Sequence, residues 1–159
     1  MSTTLSFNAM PAQHLLDETY LKMALVWSSL SKATRKQVGC LIVRDGMIIS
    51  DGYNGTPRGF DNNCEMKITP RHSDWPEALV TKPEVLHAES NAITKLAKST
   101  NSSNGATLYT TIAPCFDCAK LMIQSGIVRV VYAEKYKDER GINLLGRAEI
   151  DCSSLSLTN

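Results

Sequence analysis

No apolar run in this 159-residue chain approaches the length that crosses a bilayer. The longest, such as "CLIV" and "IVRVVYA", fall far short of the ~20 residues of a spanning helix. The opening "MSTTLSFNAMPAQH" lacks a basic segment followed by an apolar core, so no secretory leader is expected there. A cytoplasmic, membrane-free protein is the expectation. Charge of one sign is also missing: 17 Lys and Arg stand against 16 Asp and Glu, a net +1. Polynucleotide binders carry a basic stripe, because neutralising phosphates drives their affinity. The nearest approach here, "SKATRKQ", has three basic residues in a short polar stretch and reads as a solvated loop. The balance favours a small ligand over stable nucleic-acid binding. The five cysteines, Cys40, Cys64, Cys115, Cys118 and Cys152, are odd in number, which argues against a disulfide framework. Repeats, low-complexity tracts and linkers are absent too. With 43% hydrophobic residues, residues 1–159 suit a single domain.

What is present falls into alternating elements. "HLLDETYLKMALVWSSL" carries Leu15, Leu16, Tyr20, Met23, Leu25 and Val26 at helical spacing, which predicts an amphipathic helix from about Gln13 to Ser31. "VGCLIVRDGMIISDGYNG" predicts two strands around an Asp45-Gly46 turn. Residues 54–84, rich in Gly, Pro, Asn and charge, read as one long irregular loop, a length that usually signals function. "EVLHAESNAITKLAKS" reads as a helix, "ATLYTTIA" as a strand and "CFDCAKLMIQSG" as a helix ended by Gly126. "IVRVVYAE" reads as a strand, "GINLLGRA" as a short helix and "AEIDCSS" as a last strand, before a polar tail at about 153–159. The order predicts an α/β fold, a mixed sheet with helices on both faces. The strands on either side of the "CFDCAKLMIQSG" helix should be parallel.

Two motifs open two of these helices. In "VLHAESNAI", His87 precedes Glu89 by two residues; in "TIAPCFDCAKLMIQSG", Cys115 and Cys118 follow Pro114. Pro114 suits a first helical turn, and cysteines at i and i+3 share one face. The helix N-terminus favours the thiolate that binds metal. His87, Cys115 and Cys118 make three zinc ligands, one short of a closed structural site, so a position stays open for water or substrate. Glu89 is then free to move protons. His-x-Glu followed by Pro-Cys-x-x-Cys is the pattern of the zinc nucleobase deaminases. The plainer readings are a helix-capping histidine with two buried thiols, or a redox pair. Cys40 reads as a small buried residue, Cys152 carries no signal, and Cys64 with His72 fits no familiar metal spacing.

"GYNGTPRGF", "HAESNAI" and "APCFDCAKLMIQSGI" resemble the deoxycytidylate (dCMP) deaminases of the cytidine deaminase-like superfamily. The resemblance runs from about Arg35 to Tyr136; Gly52-Tyr53-Asn54-Gly55 and Asn91 narrow it to the dCMP branch. Cys40 departs from the usual alanine, and the middle loop lacks the second zinc set of some members. The resemblance implies a three-layer α/β/α sandwich around a five-stranded mixed sheet. It implies zinc on His87, Cys115 and Cys118, and proton transfer by Glu89 during hydrolysis of dCMP to dUMP, the thymidylate precursor. It also implies substrate contacts from Arg35 to the 5′-phosphate, from Asn54 to sugar or base, and from Tyr136 beside the base. The Ala88 N–H and the carbonyl of Thr111 or Ile112 are candidate base-edge contacts. Without the family, Asn54 would be an Asn-Gly turn residue, Arg35 a surface arginine and Tyr136 an ordinary tyrosine after a strand. Arg58 is the alternative phosphate anchor. Members are usually homohexamers that dCTP activates and dTTP inhibits, the triphosphate arriving with Mg²⁺, and Gly52, Tyr53, Asn54 and Gly55 would form part of that effector site. The rivals are a related deaminase acting on tRNA adenosine or free cytidine, and a non-catalytic zinc module, which leaves Glu89 without a task.

Overall fold

The structure, a computed structural model, describes residues 11–69 and 76–157. Its elements in chain order are α1 (Gln13–Ser28), β1 (Gly39–Arg44), β2 (Met47–Tyr53), β3 (Glu65–Ile68), β4 (Ala78–Thr81) and α2 (Ala88–Leu96), followed by β5 (Thr107–Ile112), α3 (Phe116–Gln124), β6 (Arg129–Glu134), α4 (Arg140–Arg147) and β7 (Asp151–Ser154). Five strands form one mixed sheet in the order β2-β1-β5-β6-β7. β1 runs antiparallel to β2 and β5, whereas β5, β6 and β7 are parallel. The β5–α3–β6 crossover expected from the sequence is therefore present. Asp45 and Gly46 both take positive φ, 52° and 74°, as the tight β1–β2 turn requires.

Strand alternation divides the core in two. Cys40 and Ile42 of β1, Leu108 of β5 and Val130 of β6 pack beneath Ala88, Ala92, Cys118, Ala119, Met122 and Leu145 of α2, α3 and α4. Leu41, Val43, Tyr109 and Val131 face the other way, against Leu21 and Ala24 of α1. This is the three-layer α/β/α arrangement, with α1 on one face and α2, α3 and α4 on the other.

Two expectations need correction. The apolar residues read as the buried stripe of α1 are largely outside: Leu15, Met23, Leu25 and Val26 are exposed, Val26 to 71%. The buried side of α1 instead carries Asp17, Leu21, Ala24 and Ser28. The helix tolerates the inward Asp17 because Arg129 binds it through two hydrogen bonds of 2.8 and 2.7 Å, and Tyr109 Oη donates to it at 2.8 Å. Tertiary partners thus rotated the helix away from its most apolar side. Second, residues 54–84 are not uniformly irregular: β3 and β4 form an antiparallel ribbon with Glu65 paired to Thr81. At four residues each, these strands are too short for an alternation signal. His72 lies outside the described residues. Cys64 is buried, Cys40 is fully buried as expected, and all five cysteines are free.

Candidate active site

Both chemical motifs sit at helix entries on the α2–α3 side of the sheet. His87 is the N-cap residue of α2 and Cys115 that of α3, each with extended backbone angles, and Cys118 lies one turn into α3. Neither cap residue uses its side chain to cap, so imidazole and thiol remain free for another partner. They meet one another: His87 Nδ1 lies 3.4 Å from Cys115 Sγ and 3.5 Å from Cys118 Sγ. Tetrahedral zinc, with bonds of roughly 2.3 Å to sulfur and 2.0 Å to nitrogen, would place such atoms about 3.6 Å apart. The three ligand atoms therefore fit a zinc ion with little adjustment. Among the described residues this is the group of histidine, cysteine and acidic side chains that converges closely enough to hold a metal.

The electrostatics suit the same occupant. The hydrogen bond from Cys118, aided by His87, pulls the Cys115 thiol down to about 4. That bond and burial push Cys118 the opposite way, so without a cation the pair carries one thiolate and one thiol. A divalent ion removes the second proton as well. His87 is raised, chiefly by its contact with Cys115. Glu89, in the first turn of α2, is 4% exposed and touches Cys118 Sγ at 3.7 Å. Burial raises its carboxyl above the ordinary value, which brings it closer to neutrality, where a proton carrier works best.

A cavity of about 250 Å³ opens over this cradle. His87, Ala88, Glu89 and Cys115 line it together with Arg35, Lys36, Asn54, Ile112 and Tyr136. Arg35, Asn54, Ala88 and Tyr136, chosen from the sequence, are thus gathered in one place. Of the two residues offering candidate carbonyls, Ile112 lines the cavity, whereas Thr111 is buried and does not, its hydroxyl Oγ1 accepting the Gly39 N–H. Arg58 does not line it. Asn54 clamps the segment bearing the cations: its Oδ1 accepts the Val38 N–H at 2.8 Å and its Nδ2 donates to the Lys36 carbonyl at 2.9 Å. The second proton of Nδ2 has no partner among the described residues.

Sequence reasoning missed Lys36, Glu65 and Thr81, which also line the cavity. Lys36 stood beside Arg35 and shared its basic stretch, but Glu65 and Thr81 carried no motif. Gly52 corrects another expectation. It is buried, and a Cβ there would lie 2.1 Å from the Ala88 carbonyl oxygen and 2.7 Å from the Ala92 nitrogen. Glycine is needed at this position because α2 rests on β2, not because a ligand approaches. Tyr53 and Gly55 are half-buried, and Gly55 bridges Leu86 through both backbone hydrogen bonds.

Fold and cradle together define a class: an α/β/α protein holding one imidazole, two thiols and a buried carboxylate where two helices begin. Known proteins narrow that class. Residues 15–134 match the cytidine and deoxycytidylate deaminase zinc-binding region. The deoxycytidylate deaminase of Saccharomyces cerevisiae is 36% identical over 143 residues, covering 89% of this chain and 45% of the yeast protein. That of Enterobacteria phage T4 is 36% identical over 154 residues, covering 74% and 77%. The dCMP deaminase from the cyanophage S-TIM5, solved in complex with dCMP and dUMP, superposes with a TM-score of 0.79 at 36% identity, over 93% of this chain and 100% of that one. The chain belongs to the cytidine and deoxycytidylate deaminase family, and it spans less than half the length of its yeast relative.

Proposed function

We propose that this chain is a zinc-dependent deaminase that hydrolyses dCMP to dUMP and ammonia. The observation that carries the reading is one cavity lined both by Glu89 and by His87 and Cys115 of the three-ligand cradle, and by two adjacent cations, Arg35 and Lys36. Its volume is at the small end for ligand pockets, which suits a single nucleotide. The phage relative solved with dCMP and dUMP supports the same substrate. Bound zinc supplies the Lewis acid that lets water react at neutral pH. Glu89 would take one proton from the attacking water and deliver it to N3 of the pyrimidine, then take the proton of the hydroxyl now on C4 and pass it to the amine, which leaves as ammonia while C4 becomes a carbonyl. Tyr136 and Asn54 flank the base and sugar, the Ala88 N–H meets the base edge, and Arg35 with Lys36 holds the 5′-phosphate. The test is ammonia release from dCMP, deoxycytidine and a tRNA anticodon stem-loop. The reading expects dCMP to be preferred by a wide margin, and preference for the stem-loop or for deoxycytidine would overturn it.

The reading extends to regulation and assembly. It gives the whole chain to one domain that supplies dUMP for thymidylate synthesis in the cytoplasm, where free thiols persist. Activation by dCTP and inhibition by dTTP, carried in with Mg²⁺, would act through Tyr53, Asn54 and Gly55. The Gly55–Leu86 bridge supports this, since Leu86 directly precedes the ligand His87. Self-association as a homohexamer is supported by an apolar groove of about 540 Å³ that includes Met23, Val26, Trp27 and Ile48, because such patches on soluble proteins usually mark contact surfaces. Sedimentation as a monomer, with a hyperbolic rate curve indifferent to both triphosphates, would remove these two extensions and leave the chemistry standing.

A further inference from the structure

The β3–β4 ribbon touches the candidate phosphate site through a single cross-strand pair. Glu65 opens β3 and Thr81 closes β4, and the two stand opposite each other in register. Glu65 Oε1 accepts the backbone N–H of Thr34 at 3.0 Å and of Arg35 at 3.1 Å. Thr81 Oγ1 accepts a hydrogen bond from Arg35 Nη1 at 3.0 Å. One rung of the ribbon therefore grips Arg35 at both ends, backbone and guanidinium. The ribbon also joins the rest of the wall: the Lys82 N–H donates to the Cys64 carbonyl at 2.9 Å, continuing the pairing beyond Glu65 and Thr81, and Cys64 is buried.

A carboxylate beside an anion site is costly unless its charge is satisfied by other groups. Glu65 is only 6% exposed, and its charge is met by the backbone N–H groups of Thr34 and Arg35, with the Thr34 side chain and the Arg35 charge acting in the same direction. Burial works against its charge, but those N–H groups hold its carboxyl below the ordinary range. Long, exposed arginines sample many rotamers, and holding one in place before the ligand arrives lowers the entropic cost of binding. We propose that the β3–β4 ribbon makes this site select for a 5′-phosphate, with Glu65 and Thr81 as positioning residues that fix Arg35 from opposite ends. The inference rests on the reading of Arg35 as the phosphate contact.

The experiment compares kcat/KM for dCMP with that for deoxycytidine in Glu65→Ala, Glu65→Gln, Thr81→Val, Arg35→Ala and the Arg35→Ala/Glu65→Ala double variant, each checked for zinc content. Loss of two hydrogen bonds to a charged acceptor predicts a roughly 10- to 100-fold fall for dCMP in Glu65→Ala, mostly in KM. The fall for deoxycytidine is expected to be at least tenfold smaller, by the same reasoning. Glu65→Gln keeps an oxygen that accepts both N–H groups and should restore most of the loss. Thr81→Val removes a single neutral acceptor and should raise the dCMP KM by about threefold to tenfold. In the Arg35→Ala background the Glu65 change should add less than about threefold, because a residue acting through Arg35 has no route left. Equal losses on both substrates, or full additivity in the double variant, would overturn the ribbon's role. If Glu65→Ala does not accumulate, a Thr81→Val enzyme with an unchanged dCMP KM overturns it alone. An Arg35→Ala enzyme that loses both substrates equally removes the phosphate reading, and the ribbon inference with it.

Discussion

Alanine at Gly52 should damage the metal site from beneath, although Gly52 touches no ligand. The added Cβ would stand 2.1 Å from the Ala88 carbonyl oxygen, 2.7 Å from the Ala92 nitrogen and 3.1 Å from the Ala88 carbonyl carbon. All three are backbone atoms of α2, so no side chain can swing aside. Ordinary contact needs the helix to retreat by about 1 Å, and forced shifts of that kind in a packed core cost roughly 1–3 kcal/mol. Two hydrogen bonds resist the retreat: Ser50 Oγ to the Ala92 carbonyl at 2.7 Å and Asn91 Nδ2 to the Tyr53 carbonyl at 3.0 Å. The displaced helix carries His87 and Glu89, while Cys115 and Cys118 stay on α3. The 3.4 and 3.5 Å separations within the cradle would therefore open. A misplacement of about 1 Å can cost on the order of 10² in rate. The expected result is weaker zinc retention under dialysis, a lowered Tm and ammonia release from dCMP reduced by about two orders of magnitude. Gly55→Ala is the control. Its Cβ would meet only the Tyr53 ring at 4.0 Å, so stability should stay within about 0.5 kcal/mol. A Gly52→Ala protein with full zinc content and unaltered turnover would refute the argument that β2 sets the height of α2.

Glu89→Gln preserves shape and all three ligands, so zinc content should be retained while turnover falls by ~10² or more; activity within a few-fold of the parent would take Glu89 out of the reaction. Cys115→Ser should lose zinc and lower Tm, because ligand binding and folding are coupled, and a serine variant with stoichiometric zinc would contradict the cradle. Chelation of the unmutated protein should abolish turnover, with recovery on adding Zn²⁺ back. Asp17→Asn tests the network under α1. Burial opposes the Asp17 charge, but hydrogen bonds from Arg129, Gln13 and Tyr109 prevail and hold its carboxyl below the ordinary 3.8. Its contribution is thus complete above that value and is lost as pH falls through the lowered folded value. Breaking this buried pair should cost on the order of 3 kcal/mol near pH 7, with the gap to the parent narrowing below about pH 4 in denaturant titrations; a gap independent of pH would refute the assignment.

The chemical centre was legible because its information is local. His87 and Glu89 lie two apart where one helix begins, and Cys115 and Cys118, three apart where another begins, have the spacing that brings side chains together. The sheet order was partly legible for the same reason: the Asp45-Gly46 turn dictates an antiparallel neighbour, and a helical crossover dictates a parallel one. The remaining features depended on partners distant in the chain. The side of α1 that turns inward was decided by Arg129, 112 residues from Asp17, whose ion pair outweighed the apolar pattern of the helix. Gly52 resembled a ligand-facing glycine until α2 was seen resting on it. Glu65 and Thr81 carry no motif, and they gained meaning only when the ribbon set them opposite each other and against Arg35, 30 and 46 residues away. Sequence by itself determined the atoms that can bind metal and move protons, since those depend on residue type and spacing within a turn. Tertiary structure decided which charges line one cavity, since that depends on contacts whose separation along the chain leaves no periodic trace.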